Sequence, residues 1–150
     1  MIARIRKKIQ MRAAEFTALV VQGLFASAST FVYEVVFFHI AQDEWGFIRL
    51  FYNVIKYLTF FIPARLDDYF KTTFLRTSQN KFYEWIADGL ALSIHQVPIY
   101  IASAMIFGIG TEKIILISII YLVDNFVFGG LYGILLKWMR EKFITKTANL

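Results

Sequence analysis

In ADGLALSIHQVPIY, residues 87–100, an aspartate, a histidine, a glutamine and a proline interrupt sequence that is otherwise apolar. Asp88 and His95 are seven residues apart, two helical turns, so a helix puts them on one face, and Glu84 extends that face. Gln96 sits beside His95. Pro98 lacks a backbone donor and frees the carbonyl about one turn earlier, near Ile94. In an apolar medium a freed carbonyl must find water, a side chain or a ligand. The expected role is a polar lining with a break in it. The plainer alternative has Asp88 reaching the interface, His95 bonding a neighbouring helix, and Pro98 merely kinking its own.

Other polar residues repeat at helical spacing. Gly23, Ser27, Thr30 and Glu34 follow i, i+4, i+7, i+11, a small and polar stripe that ends in a carboxylate. Small residues allow close helix approach and hydroxyls bond across helices, but packing alone does not require Glu34. Glu15 lies near the start of the same apolar run. Arg49, Asn53 and Lys56 fall at i, i+4, i+7, and Asp124 with Asn125 interrupts the last apolar run. An ionisable group inside a membrane costs roughly 2.5–3.5 kcal/mol on insertion scales, so opposite charges at matched depth are expected to pair. Lys56 and Asp124 meet that description, and an ion pair between them is expected. Gly129 and Gly133 form a GxxxG pair, suited to packing within the chain or to a homodimer.

These residues need elements to hold them, and composition decides which. The chain has 150 residues, 58% hydrophobic, with 16 phenylalanines and only two prolines. Its mean hydropathy is +0.55. A soluble domain of this length could neither use nor hide so much apolar surface. The expected class is all-α, an integral membrane four-helix bundle forming one transmembrane domain over residues 1–150. Its spans are expected at about 16–38, 47–63, 85–107 and 114–136, the second being the shortest and most polar. RIRKK, an apolar run and ASA imitate a secretory signal, but apolar sequence resumes at once in FVYEVVFF and favours a span.

Charge then sets orientation. Arg4, Arg6, Lys7, Lys8 and Arg12 precede the first span, and Arg65, Lys71, Arg76 and Lys81 follow the second. Lys137, Arg140, Lys142 and Lys146 occupy the tail, while HIAQDEWG has no lysine or arginine. Positive residues favour the cytoplasm, so both termini and the central connection are expected there. With no cysteine there is no disulfide or thiolate site. No metal-ligand pair or nucleophile–base spacing suggests an enzyme, and no cofactor or metal is expected. The net charge of +5 brackets apolar spans and does not form a basic-aromatic nucleic-acid motif.

Two stretches together resemble the bacterial L-alanine exporter family. ADGLALSIHQVPIY has the form A-D-x-L-A-x-x-x-x-Q-x-P-x-Y, and GGLYGILLKWMREKF has the form G-x-x-Y-G-x-x-L-x-x-x-R-x-x-F. AAEFTALVV and RLDDYF are similar too, so the likeness runs from residue 13 to 143. The resemblance implies export of L-alanine across the inner membrane, driven by the proton motive force. It carries over to Ala87, Asp88, Gln96, Pro98 and Tyr100, and to Gly129, Tyr132, Gly133 and Arg140. The chain departs from the pattern where IPARLDDY replaces a proline-tyrosine-glycine segment, and His95, Lys56 and Asp124 lie outside the pattern. On this reading Asp88, Glu15 or Glu34 takes the ammonium or the proton, and Gln96, Tyr100 and Tyr132 bond the carboxylate. L-alanine, protons, membrane lipid and a second copy of the chain are the expected partners. A small multidrug exporter of cations and a non-transporting membrane scaffold are the competing readings.

Overall fold

The computed structural model describes residues 2–74 and 80–148, with side chains over 5–73 and 80–143. Among these residues there is no strand. The elements are α1 (Ile2–Phe31), a π-helical turn (Val32–Phe37), α2 (Gln42–Leu58), α3 (Phe61–Phe74), α4 (Lys81–Ile106) and α5 (Thr111–Ala148). Ile5–Phe37, Lys81–Ile106 and Thr111–Phe143 are long and apolar enough to cross a membrane.

Local chemistry sets the helix ends. Asn80 caps α4, its side-chain oxygen accepting from the Phe82 N–H at 3.0 Å. At the other end Gly108 is left-handed at φ 74°. The Ile109 N–H reaches the Ala104 carbonyl at 3.0 Å and the Gly108 N–H reaches Met105 at 3.1 Å, a Schellman stop. The first span ends differently. The Phe38 N–H reaches back five residues to the Tyr33 carbonyl at 2.9 Å, and His39 then turns the chain at φ 52°.

α4 and α5 form the most extensive helix pair, α5 packs on α1, and α2 and α3 pack on α4. Glu15 of α1 and Arg140 of α5 meet, so both terminal regions share one end of the bundle, called here the terminal end. One apolar cluster (Ala18, Leu19, Ala64, Leu92, Tyr132, Leu136) sits toward that end. A second (Tyr33, Ile48, Tyr52, Tyr100, Ile117, Tyr121 and neighbours) sits toward the far end. The polarity is inverted relative to a water-soluble bundle. Leu24, Phe25, Phe37, Ile94, Met105, Ile119, Val123, Val127 and Ile134 are exposed, while Gln22, Glu34, Arg49, Lys56, Asp88 and Gln96 are buried. An apolar exterior around a polar interior is what a hydrocarbon solvent selects.

The helices outrun or divide the expected spans. The first helix starts at Ile2, well before residue 16, and the last runs on to Ala148. The run 47–63 is not one helix. It breaks at Thr59–Phe60, and Pro63 lies in the first turn of α3, where a missing N–H costs little. α2 has 17 residues and buries Arg49 and Lys56, so it is not among the helices long and apolar enough to cross. The expected interruption at Pro98 does not occur. α4 runs through it, and Pro98 stands exposed on the outer face. Arg76 lies outside the described residues, as do the side chains of Arg4 and Lys146.

Candidate functional site

The buried polar groups form three layers along the bundle. At the terminal end a cleft of about 930 Å³ opens between α3, α4 and α5. Asp88 is part of its wall and is only 4% exposed. Lys71 of α3 bridges two carboxyls, with Nζ 2.6 Å from Asp88 Oδ1 and 2.9 Å from Asp67 Oδ2. Burial alone would lower the Lys71 pKa, but Asp67 and Asp88 outweigh it and hold it above the usual lysine value. One ammonium between two carboxyls leaves one carboxyl in excess, a place for a proton or a second ammonium. Beside this cluster Arg140 donates to both oxygens of Asp68 at 2.7 and 2.9 Å and to Glu15 at 3.3 Å. That fork ties α1, α3 and α5 together. Tyr132 is fully buried nearby.

Two glycines permit this layer. A Cβ on Gly133 would collide with the Asp88 carboxylate, and one on Gly129 would stand 2.7 Å from the Gly89 Cα. The GxxxG pair is therefore used within the chain, bringing α5 against α4 at the aspartate, and a homodimer would have to use another face.

The middle layer joins α1, α2 and α4. Lys56, 1% exposed, has Nζ 3.4 Å from Gln22 Oε1. The Gln96 Nε2 lies 3.4 Å from the same oxygen, and Tyr52 donates to Gln96 Oε1 at 2.8 Å. Gly23 makes room for the lysine, since a Cβ there would stand 2.8 Å from Nζ and 2.9 Å from the Tyr57 hydroxyl. Thr59, in the break between α2 and α3, meets His95 Nε2 at 2.8 Å. His95 thus anchors the break.

The far layer is built on the π-helical turn. Glu34, 1% exposed, is ion-paired with Arg49. Arg49 also donates to the Tyr121 hydroxyl at 2.6 Å. Its guanidinium lies 5.3–5.8 Å from the ring centres of Trp45, Tyr52, Tyr100 and Tyr121, within cation–π range. Tyr100 is fully buried and stacks on Tyr121 with ring centres 5.0 Å apart.

The expected Lys56–Asp124 ion pair is not made. Lys56 meets Gln22, while Asp124 accepts from Ser29 at 3.0 Å. Gln22 and Ser29 are seven residues apart on α1, about 10 Å along its axis, so the two charges stand at different depths. Ser27 is half-buried, and its carbonyl takes the Thr30 hydroxyl at 3.0 Å. Asp88, Gln96, Glu15 and Glu34 all sit in the interior layers, whereas Pro98 faces outward. Sequence reasoning missed Gln22, Tyr52, Asp67 and Lys71, and did not pair Glu34 with Arg49. The buried residues of α2 are Ile48, Arg49, Tyr52 and Lys56, with Asn53 only half-buried. Tyr52 reads as an ordinary aromatic until its neighbours are known. The i, i+4 spacing of Asp67 and Lys71 was a usable signal.

A family model described as AlaE, L-alanine exporter, matches residues 5–146. No curated protein and no solved structure matches the chain.

Proposed function

We propose the following mechanism from the premise that this chain belongs to the L-alanine exporter family, a multi-pass membrane protein of an amino-acid export family. The chain moves L-alanine out of the cytoplasm across the bacterial inner membrane, in exchange for protons. α2 completes the bundle as a fourth membrane helix, with the terminal end in the cytoplasm as the lysine and arginine distribution favours. The observation that carries this reading is the Asp88 cluster, a buried carboxyl in the wall of a terminal-end cleft with one ammonium shared between two acids.

The geometry supports a sequence of steps. The cleft admits the zwitterion, and the surplus carboxyl of the Asp67–Lys71–Asp88 cluster attracts its ammonium. A proton arriving from the other side discharges that carboxyl and releases the ammonium, so proton and substrate compete for one charge. The middle and far layers offer polar partners through otherwise apolar packing. Helix movement around the close Gly129–Gly89 contact opens the site to one side at a time.

The deciding experiment loads cells with an alanine-containing dipeptide and follows internal and external L-alanine, with Asp88→Asn as the comparison. Faster release that is lost in the variant and collapses with an uncoupler is expected. Unchanged release by an inserted protein would break the reading. A cationic-drug exporter is disfavoured because the aromatic cage at the far layer already encloses Arg49. Dye efflux that depends on the chain would restore it.

A further inference from the structure

We propose that Lys56, Gln22 and Gln96 form a mid-bundle subsite for the carboxylate of the transported amino acid. The proposal rests on the export reading and adds the group that reads the anionic half of the substrate. Lys56 is buried at 1% exposure and makes no ion pair among the described residues. Its contact to Gln22 Oε1, at 3.4 Å, is long for a hydrogen bond from an ammonium, which ordinarily closes to about 2.7–2.9 Å. Gln22 is fully buried, and its Nε2 has no hydrogen-bond partner among the described residues. Gln96 is also fully buried, and Tyr52 holds its carbonyl oxygen at 2.8 Å, which aims its Nε2 toward Gln22.

The layer therefore converges two donor groups, the Lys56 ammonium and the Gln96 amide, on the single oxygen of Gln22, whose own NH2 stands without a partner among the described residues. Turning the Gln22 amide over would put its NH2 against Lys56 and deepen the donor surplus. Buried donors in that number call for an acceptor of two oxygens and negative charge. No carboxylate among the described residues answers. Glu34 is engaged by Arg49, and Asp124 by Ser29. Asp88 stands eight residues before Gln96 on α4, about 12 Å along the helix. With Glu34 paired to Arg49 and Asp124 held by Ser29, Lys56 is left without a carboxylate of its own among the described residues. Gly23 keeps the opposite wall low, because any side chain there would meet Lys56 Nζ and the Tyr57 hydroxyl.

An α-amino acid carries its ammonium and carboxylate on one carbon and cannot bridge Asp88 and Lys56 together. The two sites act in succession, the cleft reading the ammonium and the middle layer the carboxylate.

The test is direct binding of labelled L-alanine and labelled propionate to the purified full chain, with L-alaninamide as competitor. Propionate offers only the carboxylate and alaninamide only the ammonium. The wild-type protein is expected to bind propionate. Lys56→Met should weaken L-alanine at least tenfold and abolish propionate binding, while alaninamide still competes for the residual alanine signal. Gln22→Leu should move propionate the same way by a smaller factor, which keeps the test decisive if Lys56→Met does not fold. A wild-type protein that binds no propionate, or Gln22→Leu and Lys56→Met proteins that bind it as well as wild type, would overturn the subsite. Reconstituted vesicles separate the two readings. Propionate binding without alanine movement would end the export reading and leave the subsite. Alanine movement without propionate binding would do the reverse.

Discussion

Arg49 is held by the Glu34 carboxylate, by the Tyr121 hydroxyl and by the rings of Trp45, Tyr52, Tyr100 and Tyr121, partners drawn from the π-helical turn, its own helix α2, α4 and α5. A buried guanidinium needs that many partners because desolvation is its largest cost. Removing it leaves Glu34 buried and alone. Arg49→Met is expected to destabilise the protein by about 3–5 kcal/mol, read as a lowered unfolding midpoint in detergent. Glu34→Gln, which keeps an acceptor for the guanidinium, should cost less. If the two variants melt together, the pair is not the source of the stability. Lys71 gives the pH expectation. Its pKa is raised in the folded protein, so the stability it contributes is fully present below the unfolded lysine value of about 10.4 and is lost as pH rises through the higher folded value. Lys71 therefore stays charged near neutral pH. A Lys71→Met protein should have a lower unfolding midpoint at pH 8, where Lys71 is charged between its two carboxyls, and an unchanged midpoint there would contradict the assignment. At this scale sequence was a good guide to which residues matter and a poor guide to partnership. Glu34, Lys56, Asp88 and Gln96 stand out against hydrocarbon wherever they lie. Their partners depend on depth and rotation, which differ by about 10 Å for Lys56 and Asp124.

Elements were legible where one helix carries its own signals. The long apolar runs of α4 and α5 are local, and the structure follows them. The break between α2 and α3 is not local. Thr59 is held by His95 on α4, and Arg12 of α1 lies 5.7 and 4.8 Å from the Phe60 and Phe61 ring centres. Pro98 pointed the other way, since proline in a sequence announces a break that the rest of α4 overrides. Two variants test these elements. Pro98→Ala restores a backbone donor on the outer face, so export should stay within about twofold of wild type and the helix should gain up to about 3 kcal/mol. Loss of export in a stably folded Pro98→Ala protein would place the proline in the pathway. Gly133→Ala instead drives a methyl into the Asp88 carboxylate. It should keep helical content by circular dichroism and lose most alanine export, because Asp88 must leave Lys71. Export unchanged by that methyl would show that the contact yields without cost.

For the whole molecule the governing feature is the inverted polarity, and the absence of cysteine makes it measurable. A single cysteine can be placed anywhere without background. At Glu84 and Lys137 it would line the terminal-end cleft. At Ile119 and Val123 it would stand on the exposed apolar face, with relative exposures of 56% and 56%. In water all four positions would react with a charged thiol reagent. In a bilayer the apolar pair is shielded by hydrocarbon while the cleft pair remains wet. The expected result in sealed vesicles is therefore labelling at 84 and 137 from one side only and almost none at 119 and 123. The reactive side should be the cytoplasmic one, since Arg65, Lys71, Lys81 and Lys137 gather at that end. If the cleft is where the zwitterion first binds and the Asp88 cluster reads its ammonium, as proposed, excess L-alanine should slow labelling at 84 and 137, and L-alaninamide should slow it too. Protection by propionate instead would put the carboxylate in the cleft and reverse the order of the two steps.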